Sequence, residues 1–142
     1  MVFINCEIFV RDFYPHVLLA KRLVENGERV IVGEQQNLLR YIYTSPPGVF
    51  IDKSAPSNKR ALYARLKSIG WAIVTIDAEG MSSIENPERT LKRVSKKALE
   101  LLDYYCCWTV SEYEKLMAEH PESSEKLVLL GMLRFSLIKD LM

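Results

Sequence analysis

Apolar positions along the chain follow two rhythms. Short runs in which nearly every residue is apolar alternate with stretches where apolar residues return every three or four positions; the first rhythm marks strands buried on both faces, the second helices that bury one stripe. Val2 to Val10 (VFINCEIFV), Arg29 to Gly33 (RVIVG), Val49 to Asp52 (VFID), Trp71 to Ile76 (WAIVTI), Tyr104 to Val110 (YYCCWTV) and Lys126 to Leu130 (KLVLL) read as six strands. A helix begins at Pro15, which needs no N–H there, carries Val17, Ala20 and Val24 at helical spacing and stops at Gly27. Glu34 to Thr44 follows with Leu38, Leu39 and Ile42 inward, then, after the SPPG turn, Ser57 to Ile69 with Leu62, Leu66 and Ile69 on one face and Gly70 at its end. Asn86 with Pro87 starts a helix striped by Leu91, Val94, Ala98 and Leu101. Ser111 and Glu114 form a capping box for the next, and a short C-terminal helix runs from Arg134.

Strands alternating with helices predict an α/β fold: a Rossmann-like parallel sheet of five to six strands with helices on both faces, because parallel crossovers are right-handed and lay successive helices over the sheet. Residues 1–142 read as one domain, long enough to bury roughly 68% of the surface of its unfolded chain. In such sheets ligands bind beyond the carboxyl ends of the strands, near the point where strand order reverses. The strands are expected to end at Arg11-Asp12, at Asp52-Lys53-Ser54, at Asp77-Ala78-Glu79-Gly80 and at Trp108-Thr109, which gathers scattered polar groups on one rim. Turn chemistry alone also places Asp and Gly at strand ends, so both readings of these residues stand at this stage.

Composition narrows the classes. A net charge of +1 disfavours nucleic acid as a partner, since phosphate neutralisation supplies most non-specific affinity. No window approaches the run of about 18 apolar residues that a membrane span needs, and the N-terminus lacks the order of a signal peptide, so the expected compartment is the cytoplasm. Three cysteines, two of them adjacent at Cys106 and Cys107, make no disulfide framework and no zinc site, and read as reduced thiols. Neither GxGxxG nor GxxxxGK[ST] occurs, and the loop RDFY after strand one has no glycine to admit a pyrophosphate, which argues against dinucleotide binding and nucleoside triphosphate hydrolysis. No metal or cofactor is called for. His120-Pro121 reads as a helix stop, and His16 as packed or exposed. The basic run Arg89, Lys92, Arg93, Lys96 and Lys97 reads as a solvated helix face, with attraction to an anionic membrane surface as the alternative.

Five pieces in order resemble the bacterial surface carbohydrate biosynthesis proteins, a glycosyltransferase-like family of two facing Rossmann-like domains. They are RDF followed by VLLA at Val17 to Ala20, ERVIVG at 28 to 33, PPGVFIDKS at 46 to 54, IDAEG at 76 to 80, and LVLLG with Arg134 and Phe135. The sequence departs from the family pattern at Tyr14, Pro15 and His16, at Ala78, and at Met132, Leu133 and Ser136. The resemblance implies the N-terminal, acceptor-side half of a GT-B glycosyltransferase, in which an acidic residue before a glycine takes the proton of the acceptor hydroxyl and the other domain holds a cytidine nucleotide.

Carried over by position, Glu79 is the base and Asp77 the second acid. A carboxylate in this role accepts the proton as the new bond forms, within about 2.6 to 3.2 Å of the oxygen. Arg11, Asp52, Lys53, Ser54 and Gly80 then line the acceptor cleft, with Arg11 and Lys53 holding an anionic acceptor or developing charge. The structural alternative pairs Arg11 with Asp52 or Asp12. Trp108 stacks on a sugar ring or is a buried aromatic. The implied partners are a glycan or glycolipid acceptor at the inner face of the membrane, a nucleotide-sugar donor reached only through a second domain or chain, and a second copy covering the exposed cleft. The rival reading is a non-catalytic carbohydrate-binding or assembly module that keeps the fold only; a receiver-like signalling domain is disfavoured because Asp12 stands alone.

Overall fold

A computed structural model describes residues 1–77 and 93–131 of the protein. They form a six-stranded, all-parallel sheet with helices on both faces, the expected Rossmann-like α/β architecture. The strands are β1 (Val2–Asn5), β2 (Val30–Gly33), β3 (Val49–Asp52), β4 (Ala72–Ile76), β5 (Tyr104–Cys107) and β6 (Leu127–Leu129). The helices are α1 (Phe9–Glu25), α2 (Gln35–Ile42), α3 (Arg60–Ser68), α4 (Lys96–Leu99) and α5 (Val110–Glu119), with 3-10 turns at Ser57–Lys59 and Pro121–Lys126. The sheet order is β2-β1-β3-β4-β5-β6, so the direction of winding reverses between β1 and β3. Among the described residues no helix is long and apolar enough to cross a membrane.

The period-two alternation of each strand sorts its side chains between two cores. On one face Phe3, Phe50, Ile73, Tyr105 and Cys107 pack under Leu38 and Ile42 of α2, Tyr63 and Leu66 of α3, Ala98 and Leu99 of α4 and Leu116 of α5. Trp71 meets Phe3 edge-on at 5.1 Å there. On the other face Val2, Ile4, Ile51, Ile76 and Cys106 pack against Leu19, Ala20 and Leu23 of α1. Gly48, the glycine of the SPPG turn, lies where any Cβ would collide with the Met1 carbonyl, the acceptor of the Val49 amide at 3.0 Å.

Several boundaries differ from expectation. β1 ends at Asn5 and α1 starts at Phe9, so Arg11 and Asp12 sit in the first turn of α1, not on the strand, and Pro15 lies inside the helix. The exposed run Ile8, Phe9 and Val10 imitates a strand in sequence, yet it belongs to a helix start. α1 also faces the sheet with a different stripe: Asp12, Pro15 and His16 are buried, whereas Val17 and Val24 are exposed. β5 stops at Cys107, and Thr109 rather than Ser111 caps α5, its hydroxyl accepting from the Glu112 amide at 3.1 Å. Val94 is extended, forming a parallel bridge with Ala55 outside α4, although it and Ala98 are buried as expected. Ala78, Glu79, Gly80, the helix start at Asn86-Pro87 with Arg89, Leu91 and Lys92, and the C-terminal helix from Arg134 lie outside the described residues.

Candidate functional site

The reversal of winding brings the ends of β1 and β3 side by side, and both end on a polar residue pointing to the same face. Asp52 follows Phe50 by two positions and Asn5 follows Phe3 by two, so each polar side chain is the last of its inward row. Asn5 Nδ2 donates to Asp52 Oδ1 at 2.7 Å, and the Lys53 amide donates to the same oxygen at 2.8 Å. Asp52 Oδ2 accepts from Lys59 Nζ and from the Tyr63 hydroxyl, both at 2.9 Å. Four donors therefore occupy a carboxylate that offers about four lone-pair sites. Asp52 is fully buried and has no acceptor capacity left for a substrate hydroxyl; it anchors the crevice floor.

Tyr63 ties that floor to the next loop. Its hydroxyl also approaches the Ser54 carbonyl at 2.6 Å, so one proton serves two acceptors. Burial first, and the adjacent Asp52 carboxylate second, push the Tyr63 phenol far above its ordinary range, which keeps it a donor. Lys59 reaches Gln35 at the start of α2 as well as Asp52. Above this floor Lys53 pairs with Glu7, linking the loop after β3 to the loop after β1 across the reversal point. Ser54 is buried beside it.

The neighbouring pair of strand ends carries a second set of acids. β3 and β4 are in register with Asp52 beside Thr75, so Asp77 lies two residues further along the same inward row. Asp77 is 3% exposed, and Arg93 Nη2 donates to its Oδ1 at 2.7 Å. Close by, the buried Glu112 accepts from the Trp108 amide at 2.8 Å and from the Tyr105 hydroxyl at 3.3 Å. Burial pushes the Glu112 carboxyl above its ordinary value; the Trp108 amide opposes this and Asp77 adds to it. Tyr105 is raised too, by burial and then by Asp77 and Glu112. Trp108 is half-buried at the end of β5, and its indole N–H has no partner among the described residues.

Arg11 resolves toward its immediate neighbour: Nε donates to Asp12 Oδ1 at 2.5 Å and Nη2 to Oδ2 at 3.0 Å, while the Ile8 amide donates to Oδ2 at 3.1 Å. Burial raises Asp12, but these donors outweigh it and hold the carboxyl below its ordinary value. Arg11 nonetheless stays at the rim, since the first turn of α1 follows the end of β1. His16, one turn on, is buried, and burial lowers its imidazole pKa. His120 ends α5 and Pro121 opens the following 3-10 turn, as the helix-stop reading expects. The three cysteines are free and buried, and burial pushes the Cys106 thiol to about 11, so they are protonated thiols rather than nucleophiles.

The rim thus brings together Asp52, Lys53, Ser54, Asp77 and Trp108, with Arg11 on the adjoining helix turn; Glu79 and Gly80 lie outside the described residues. Asn5, Lys59, Tyr63 and Glu112 were not singled out in the sequence, and Arg93, expected on a solvated basic face, turns inward to Asp77 while Lys96 and Lys97 of that run are exposed. Asn5 left one signal, a polar residue on the inward phase of an apolar strand, and Tyr63 another, a hydroxyl one turn before Leu66 on a buried stripe. Among the described residues no three His, Cys, Asp or Glu side chains are grouped to hold a metal ion. Compared with protein-family models, with curated proteins and with solved structures, the chain finds no match.

Proposed function

We propose that the protein is the acceptor-side Rossmann-like half of a glycosyltransferase-like protein of surface polysaccharide biosynthesis, binding a glycan or glycolipid acceptor at the carboxyl rim of β3 and β4. One observation carries the reading: the two acid-bearing segments of the resemblance, Ile51 to Ser54 and Ile76-Asp77, end adjacent parallel strands next to the reversal point. In this reading Asp52 fixes the loop that presents Lys53 and Ser54, and Lys53, drawn from Glu7, meets an anionic group of the acceptor. Glu79 accepts the proton of the attacking hydroxyl, and Asp77, held by Arg93, positions the segment that carries it. Turnover requires a donor-binding domain on another part of the polypeptide or another chain.

A second reading, a carbohydrate-binding or assembly module without chemistry, has the burial of Asp77 behind it, since a carboxylate locked to Arg93 serves structure first. Two measurements separate the readings. Titration of the isotope-labelled chain with oligosaccharides ending in an acidic sugar is expected to shift amide resonances of Lys53, Ser54, Asp77 and Trp108, and Lys53→Ala to weaken binding about tenfold. Shifts confined to other surfaces would sink both readings. With a donor-binding domain and a cytidine-nucleotide sugar supplied, Glu79→Gln is expected to slow transfer by roughly 10² to 10⁴ with binding retained. An unchanged rate removes Glu79 as the base, and binding without any transfer leaves the module.

A further inference from the structure

Helix α1 is amphipathic in the reverse sense for part of its length. Its sheet-facing positions open with Asp12 and His16, both buried, before Leu19 and Leu23 take over. Its outward positions are Val10, Tyr14, Val17, Lys21 and Val24, spaced by four, three, four and three residues, the period of a helix that lies along another helix. Val10 is 90% exposed and Tyr14 73%, with Val17 and Val24 also open to solvent. Phe9, 65% exposed, stacks on Phe13 at 4.3 Å, and Phe13 meets Tyr14 edge-on at 6.0 Å, so one end of the stripe is an ordered aromatic platform. A contiguous apolar patch of this kind on a folded surface marks an interaction site.

We propose that this face of α1 is a homodimer interface, covered by α1 of a second copy running antiparallel across a twofold axis near Val17. The stripe is complementary to itself only in that sense. Antiparallel packing sets Val10 opposite Val24 and Tyr14 opposite Lys21, so the one cation in the stripe, held within its own helix only by the exposed pair with Glu25 at 3.5 Å, meets the face of an aromatic ring, a favourable contact when desolvated. Parallel packing stacks Lys21 on Lys21. A bilayer is the poorer occupant, because the charges around this helix cancel: Glu25 pairs with Lys21 and Arg22, Glu7 with Lys53 and Glu28 with the N-terminal ammonium, which leaves no basic excess to draw the face to an anionic lipid surface. A helix of 17 residues is roughly 25 Å long, so one helix pair buries less than the standard interface of about 1,200 to 2,000 Å² and the dimer is reversible and concentration-dependent. This surface starts at the carboxyl rim, where Phe9 and Val10 share the first turn of α1 with Arg11, and runs away from it along the helix.

Sedimentation of the full chain over a rising concentration series tests the proposal. Expected is a shift from monomer to dimer, weakened at least tenfold by Val17→Asp and by Lys21→Glu, with far-UV circular dichroism unchanged. Oxidative crosslinking fixes the geometry independently of those variants. Val17→Cys alone is expected to crosslink, as is a mixture of Val10→Cys with Val24→Cys, whereas Val10→Cys alone is not. The three native thiols are buried and do not interfere. A monomer at every concentration, a dimer indifferent to both charge substitutions, crosslinking through Val10→Cys alone, or vesicle binding by a chain that stays monomeric each overturns it.

Discussion

Two buried carboxylates end neighbouring strands, and they are held in different ways. Asp52, at the end of β3, is saturated by Asn5, the Lys53 amide, Lys59 and Tyr63, donors drawn from four separate segments. Asp77, just past β4, takes the Arg93 guanidinium and has Glu112 as a second acid nearby. The β3 end is a knot in which the acid is spent on architecture. The β4 end sets the buried Glu112 near Asp77, and that like charge adds to burial in making Glu112 hold its proton more tightly. The difference teaches that burial of an acid on this rim does not by itself identify chemistry, since the four donors on Asp52 commit that carboxylate to architecture.

Substitutions test that contrast in decreasing order of effect. Asp52→Ala removes the carboxylate from Lys59, which keeps only Gln35, leaves Tyr63 with the Ser54 carbonyl alone and takes the acceptor of Asn5, and is expected to cost about 3 to 5 kcal/mol in urea denaturation. Asp77→Ala releases a partly exposed arginine and is expected to cost less, about 1 to 3 kcal/mol; equal losses would erase the distinction between the two ends. Tyr63→Phe removes the single proton shared by Asp52 and the Ser54 carbonyl, with an expected loss of about 1 to 2 kcal/mol. Its amide shifts should appear around Ser54 and leave Asp77 unmoved.

Glu112→Gln should have the smallest effect, visible mainly in pH dependence. The folded protein holds the Glu112 proton more tightly than the unfolded chain does, so stability falls as pH rises from the ordinary value of 4.5 through the raised native value. Glutamine keeps an acceptor for the Trp108 amide and cannot ionise, so the variant's stability should be flatter over that window. A wild-type curve that rises there would place Glu112 with Asp12, whose lowered pKa stabilises the fold above the ordinary carboxylate range and loses that contribution in acid.

The strands β3 and β4 of the sheet centre were legible because they are covered on both faces, and they end at Asp52 and Ile76 where their runs were expected to end. α1 was misread for the reason that makes it interesting. Ile8, Phe9 and Val10 form an apolar run too dense for an ordinary solvent-facing helix start, so they extend the signal of β1, and the inward Asp12 and His16 break the expected stripe. The rim itself followed from parallel topology, which sets every strand end on one side. The groups that hold it did not, because Asn5, Lys59, Tyr63 and Arg93 meet their acids across 47, 7, 11 and 16 positions of chain respectively, and no local pattern encodes those meetings.

Both margins of the sheet are short: four residues in β2 and three in β6. A foreign strand laid along either would gain only a handful of ladder bonds before running out of template. Fibril-like growth by strand addition therefore has little foothold on this molecule.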